Sequence, residues 1–212
     1  MSLFYQHNIN VATKLAIWRI EEQESFFLEK VPVKRDVTHP YKRLQHLAGR
    51  FLLPALFDDF PSKAILIADT NKPFLENEQY HFSISHCGNF AAAIASHQNR
   101  VGIDIELVTP RMRTIAHKFL SMEESMFIKE WEQLPNMHLQ LTTILWSAKE
   151  AIFKWYGNGG VDFREHIQLQ SAPTFHASEW MDLKFLFRKD KIQSLKVHAK
   201  IFDGLVLAYV VS

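Results

Sequence analysis

The sequence predicts an α+β fold built as two similar α+β halves, and three observations predict it. A long amphipathic helix over 41–56 is followed by a hairpin whose second arm reads Gly88-Asn89-Phe90-Ala91-Ala92-Ala93-Ile94-Ala95. A second long helix, over 143–156, is followed by strand-like segments whose last arm reads Gly204-Leu205-Val206-Leu207-Ala208-Tyr209-Val210-Val211. Between the two lies a short alternating strand, Val101 to Leu107, near the middle of the 212 residues. The repeated order of helix then hairpin divides the chain near residue 100, into an N-terminal half over 1–101 and a C-terminal half over 102–212.

The elements follow in order. Leu15-Ala16-Ile17-Trp18 suits an early strand, and Glu21 to Lys30 is charged and helix-prone. Thr38-His39-Pro40 is a helix-start signal, with proline near the first helical position, where its missing N–H costs nothing. Leu44, Leu47, Ala48, Phe51, Leu52 and Ala55 then fall on one helical face, and Pro54 is expected to kink or end the helix. Ala64 to Ala68 reads as a short strand, Asn71-Lys72-Pro73 as a turn, and His81 to Ser96 as a hairpin turning at Cys87-Gly88-Asn89. Ser121-Met122-Glu123-Glu124 is a capping box that starts a helix running to about Trp131. The helix over 143–156 is closed by Gly157. Lys184 to Phe187 and Leu195 to Val211 are strand-like, turning at Asp203-Gly204.

Composition narrows the function. The chain is 47% hydrophobic and 22% charged, with a net charge of +1 and neither a long basic run nor an acidic tail, which argues against nucleic acid as the main partner. One cysteine, Cys87, permits no intramolecular disulfide and points to a reducing, cytoplasmic compartment. The first residues lack the pattern of a signal peptide, and no apolar run approaches membrane-spanning length, so no membrane partner is expected. The 11 histidines show no metal-ligand spacing.

Chemistry-bearing residues concentrate in two segments. In Val101-Gly102-Ile103-Asp104-Ile105-Glu106 the side chains alternate, so Asp104 and Glu106 leave one face of the strand. Two acids on a wet strand face are ordinarily just solvated. Their mutual repulsion is relieved by a cation, and hard oxygen ligands at this spacing suit Mg²⁺. In Trp146-Ser147-Ala148-Lys149-Glu150-Ala151-Ile152-Phe153-Lys154, Glu150 and Lys154 are four apart on one helical face. A surface pair of that kind contributes only about 0.2–0.5 kcal/mol. Trp146, one turn earlier on the same stripe, marks the face as partly buried. Ser85 and His86 are adjacent on a strand and point to opposite sides, which excludes a nucleophile–base pair. His86 is then either structural or a phosphate contact beside Gly88. The Arg43, His46 and Arg50 stripe is by default a solvated helix face, and Lys72 a solvated turn residue. Gly157-Asn158-Gly159-Gly160 follows a helix, so it reads as cap and linker rather than phosphate loop.

Together the segments resemble the 4′-phosphopantetheinyl transferase superfamily, in its larger, monomeric, surfactin-synthetase-activating class. Four family motifs stand in order over roughly residues 40 to 160: Lys72-Pro73, then Phe82-Ser83-Ile84-Ser85-His86-Cys87, then Gly102-Ile103-Asp104-Ile105-Glu106, then Trp146 to Lys154. The resemblance implies two α+β halves about a pseudo-twofold axis, and an enzyme that moves the phosphopantetheine arm of coenzyme A onto a serine of an apo acyl or peptidyl carrier protein, releasing adenosine 3′,5′-bisphosphate. Carried over by position, Asp104, Glu106 and Glu150 would bind Mg²⁺, and the C-terminal half would carry the metal site. Glu150 would also be the base, and Lys154 would stabilise the leaving bisphosphate. Lys72, Ser85 and His86 would contact coenzyme A.

Three departures from the family pattern follow. Cys87 stands where family members often have Ser or Thr. The basic residue expected to grip the 3′-phosphate falls among Lys42, Arg43 and Arg50, of which Arg50 is taken. Lys34-Arg35 stands where the family sometimes has a basic pair. A coenzyme A-binding protein without catalysis and a Mg²⁺-dependent phosphohydrolase are the rival readings.

Overall fold

The computed structural model describes residues 2–31, 37–174 and 179–212. The chain forms two compact units, Met1–Ile105 and Glu106–Ser212, both mixed α and β.

In the first unit, strands β1 (Leu3–Asn10), β2 (Thr13–Arg19), β5 (His81–Cys87) and β6 (Phe90–Ser96) form an antiparallel sheet of order β1-β2-β6-β5. β6 is buried along almost its whole length because its alanines leave room for close packing from both sides. Gly88 adopts φ 50°, the left-handed conformation the β5–β6 turn requires and L side chains rarely take. The edge strand β1 carries no apolar alternation and is mostly exposed, so periodicity gives no sign of it.

The long helix α2 (Pro40–Leu56) covers one face of this sheet, and the short helix α1 (Glu24–Leu28) packs against α2. Pro40 occupies the first position of α2, as the start signal predicts. Helix α2 runs two residues past Pro54, to Leu56, because a proline in the last turn forfeits only one backbone bond. Leu47, Ala48, Leu52, Leu53 and Leu56 pack onto Phe82, Ala91, Ala93 and Ala95. Gly49 lets α2 approach β5 closely; a Cβ there would come within 2.5 Å of Ile84 Cγ2. The short pair β3 (Leu66–Ile67) and β4 (Pro73–Phe74) leads into β5.

Strand β7 (Val101–Leu107) runs through the boundary between the units. The second unit then holds α3 (Arg111–Ile115), α4 (Met122–Lys129) and α5 (Pro135–Tyr156). Its strands are β8 (Ile167–Leu169), β9 (Met181–Arg188), β10 (Ile192–Ile201) and β11 (Leu205–Val211), in the sheet order β7-β11-β10-β9-β8. Both halves of the predicted box cap α4: the Ser121 hydroxyl accepts from Glu124 N, and the Glu124 carboxylate accepts from Ser121 N. Helix α5 begins at Pro135, eight residues before the expected Thr143, because Pro135 fits a first helical turn; Pro135 and Asn136 are exposed and residues 137–140 only half-buried, so they carry no apolar period. It ends at Gly157, φ 78°, as expected. Its apolar stripe, Leu141, Ile144, Leu145, Ala148 and Ile152, packs on β11 and β10 through Val206, Ala208 and Val197. Among the described residues, no helix is long and apolar enough to cross a membrane.

Candidate active site

The strand that carries Asp104 is held by hydroxyls. Ser83 and Ser85 lie two apart on β5 and share one face; Ile103 and Ile105 lie two apart on β7. Ile103 N donates to Ser83 Oγ at 3.2 Å, and Ile105 N donates to Ser85 Oγ at 3.2 Å. Buried strand amides need acceptors, and two serines supply them at matching pitch. The Ser85 hydroxyl then donates its own proton to Asp104 Oδ1 at 2.8 Å. Asp104 is only 5% exposed, so the acid read as one of a wet pair is buried, and its carboxylate is aimed by Ser85. Glu106, further along β7, is half-buried. His86 is exposed and leaves β5 on the side opposite the buried Ser85, which is the geometry that excludes a nucleophile–base pair. Cys87, at the end of β5, is half-buried.

The basic candidates of the first unit have distinct surroundings. Arg43 is half-buried and makes a two-pronged ion pair with Glu24 of α1, Nε to Oε1 at 2.8 Å and Nη2 to Oε2 at 2.9 Å. Arg50 is not part of a solvated face: it is 5% exposed, and its Nε donates to His46 Nε2 at 2.9 Å. That bond requires His46 to offer a lone pair, so the imidazole nitrogen facing Arg50 is unprotonated. Lys72 is half-buried in the turn before β4; its burial, and then the nearby charge of Arg100, hold its ammonium down at about 8. Lys42 is exposed. Lys34-Arg35 lies outside the described residues.

In the second unit, α5 presents two very different faces at adjacent positions. Glu150 and Lys154 are half-buried, four residues apart on one side, with Trp146 four residues before Glu150. Trp146 is wedged between Phe119 and Phe163, ring centroids 5.0 and 5.7 Å away. Lys149 instead points into the core and is wholly buried. Its Nζ donates to the carbonyl oxygens of Phe119, Phe163 and Ile167, each at 2.8 Å, and to Glu124 Oε2 at 2.6 Å. Burial pushes this ammonium below a lysine's ordinary value, while the Glu124 carboxylate pulls it back. An amine surrounded by four oxygens is satisfied only as the charged donor.

Sequence reasoning assigned Lys149 no role and read Glu124 as a cap alone. The signal was present: Lys149 falls four residues after Leu145 and three before Ile152, on the apolar stripe, where a lysine must find buried partners.

Among the described residues, no group of three or more His, Cys, Asp or Glu is gathered so as to hold a metal ion. Asp104, Glu106 and Glu150 each offer carboxylate oxygens, the donor type that hard cations prefer, and the Asp104 carboxylate is already oriented by the Ser85 hydroxyl.

A family model described as the 4′-phosphopantetheinyl transferase superfamily matches residues 100–210, which include β7 and α5. The chain is 32% identical over 120 residues to a 4′-phosphopantetheinyl transferase AcpT of Escherichia coli strain K12, a match covering 55% of this chain and 59% of that one. It is 29% identical over 148 residues to enterobactin synthase component D of Salmonella austin, covering 65% and 62%. It is 28% identical over 144 residues to the L-aminoadipate-semialdehyde dehydrogenase-phosphopantetheinyl transferase of Xenopus laevis, covering 60% and 48%. The chain thus spans about three fifths of the length of the bacterial relatives it matches and about half of the Xenopus one. With the matching region taking in more than half of its residues and both segments that carry its acids, the chain belongs to the 4′-phosphopantetheinyl transferase superfamily.

Proposed function

We propose that the protein transfers the phosphopantetheine arm of coenzyme A to a serine of an apo acyl or peptidyl carrier protein and releases adenosine 3′,5′-bisphosphate. The observation that carries this reading is the region of family likeness, which takes in the Asp104–Glu106 strand and the Glu150–Lys154 helix without interruption. The rival without catalysis is disfavoured because all four groups are present, and Asp104 is held in a defined orientation by Ser85.

Asp104, Glu106 and Glu150 would hold Mg²⁺, whose charge, when bound, offsets that of the coenzyme A pyrophosphate and of the transition state. Glu150 takes the proton of the carrier serine hydroxyl, directly or through water. The serine oxygen forms a bond to the phosphorus that bears the pantetheine, and the bond from that phosphorus to the bridging oxygen breaks. The electron pair leaves with adenosine 3′,5′-bisphosphate, whose new charge Lys154 stabilises. Lys72, His86 and Arg50 contact phosphates or the adenosine end. Ser85 contributes to the same site through Asp104, since its hydroxyl is engaged by that carboxylate and by the Ile105 amide. The single cysteine fits a cytoplasmic, reducing setting, and the monomeric class fits a chain with two α+β units.

The test is to incubate the protein with coenzyme A, Mg²⁺ and an apo carrier protein and to record the intact carrier mass. A gain of one phosphopantetheine arm is expected. Release of the bisphosphate with unchanged carrier mass would replace this reading with hydrolysis.

A further inference from the structure

The buried Lys149–Glu124 pair makes six hydrogen bonds, and the proposed reaction makes no direct use of it. Both residues are sealed from solvent, Lys149 at 0% and Glu124 at 1% exposure. Through Lys149, α5 is tied to the carbonyls of Phe119, Phe163 and Ile167. Through Glu124, the same point is tied to the start of α4 by Ser121 N at 2.9 Å and to β8 by Leu169 N at 2.8 Å. Two of the three residues whose carbonyls accept from Lys149, Phe119 and Phe163, are also the two whose rings flank Trp146. Phe163 packs on Phe153 as well, at 5.8 Å between ring centroids. One ammonium thus locks the register and rotation of α5 against three neighbouring segments.

A buried ion pair is weak evidence for stability, because apolar residues of like volume often serve as well. What an apolar plug cannot supply is direction. Successive residues of a helix are about 100° apart around its axis. A helix whose rotation is set at Lys149 therefore has Glu150 and Lys154 set with it. We infer that Lys149, braced by Glu124, is a positioning residue that fixes the rotation of α5 and so the aim of Glu150 and Lys154. This deepens the transfer reading given above and rests on it for its kinetic consequence.

The test compares wild type, Lys149→Met, and the double variant Lys149→Met/Glu124→Gln, which leaves no buried charge and keeps an acceptor for the Leu169 amide. Three quantities are read: thermal midpoint, transfer kinetics, and amide hydrogen exchange over 149–156. In the single variant the midpoint falls, because the buried Glu124 carboxylate is left without its counter-ion. In the double variant the midpoint recovers, but kcat stays down about a hundredfold, the usual consequence of a misplaced catalytic group, with KM for coenzyme A nearly unchanged. Exchange over 149–156 rises at least about tenfold in the double variant, since local opening is governed by local packing. Recovery of kcat together with the midpoint would reduce the pair to a fold staple and overturn the inference, as would unchanged exchange. If the wild type transfers nothing, the transfer reading falls, and exchange alone still decides whether Lys149 clamps the helix.

Discussion

Replacing Ser85 by alanine tests the hydroxyl ladder that holds β7. The substitution removes two buried bonds at once: the donation to Asp104 Oδ1 at 2.8 Å and the acceptance from Ile105 N at 3.2 Å. A hydrogen bond to a carboxylate contributes about 1.5–3 kcal/mol, and a buried amide left without an acceptor costs about 1–3 kcal/mol. The lower parts of the two ranges sum to about 3 kcal/mol. Ser83→Ala removes only the bond from Ile103 N, so it should cost about 1.5 kcal/mol. In a chain of this size each kcal/mol lowers the thermal midpoint by about 2–4 °C, so the expected losses are about 9 °C for Ser85→Ala and about 4 °C for Ser83→Ala. Melts followed by circular dichroism at neutral pH resolve such a difference. Equal losses for the two variants would refute the assignment of two bonds to Ser85, and losses within about 0.5 kcal/mol of zero would refute the ladder itself.

Glu150→Gln should abolish transfer nearly completely while coenzyme A binding, measured by calorimetry, is largely kept; an active variant removes Glu150 as the base. Gly49→Ala would gain about 1 kcal/mol in an open helix, but here its Cβ would lie 2.5 Å from Ile84 Cγ2, so a net loss of about 1–2 kcal/mol by urea unfolding is expected. Lys72, held at about 8 against an ordinary 10.5, keeps a proton longer in the unfolded chain than in the folded one. Its contribution to stability therefore rises with pH between about 8 and 10.5 and is flat below 8, while coenzyme A affinity falls as pH rises through 8; Lys72→Met should flatten both profiles. Ser147 Oγ is buried and makes no hydrogen bond among the described residues, so Ser147→Ala should leave stability unchanged or raise it by up to about 1 kcal/mol; a loss above that would reveal a bound water or partner.

The elements that periodicity or punctuation marks were legible in the sequence. Pro40, the Ser121–Glu124 box and Gly157 each name a helix end, and the alternation of Val101 to Leu107 names a strand. Strand β1 and the first turns of α5 were not legible, because exposed or half-exposed residues carry no apolar period. At the site, the acids could be found from type and spacing, but their environment could not. Whether Asp104 is wet or buried depends on β5, some 20 residues away in the chain, and no local pattern around Asp104 encodes it. Arg50 misled for the same reason: its place on the helix suggests solvent, and its burial is set by packing beyond α2. Lys149 was legible in principle, as a charge on an apolar stripe, though its four partners were not.

Because β7 passes through the boundary between the two units, Asp104 falls on one side of it and Glu106 on the other. The separation of these two acids is nonetheless set by a single extended backbone, two residues at about 3.3 Å of rise each. It is a covalent distance, set by the backbone and not by the docking of separate pieces. A chain divided between Ile105 and Glu106 would depend on reassociation of its fragments to restore the acid pair, whereas a chain divided at Asn99 would keep both acids on the second fragment. The border of the compact units and the strand that carries the two acids therefore do not coincide.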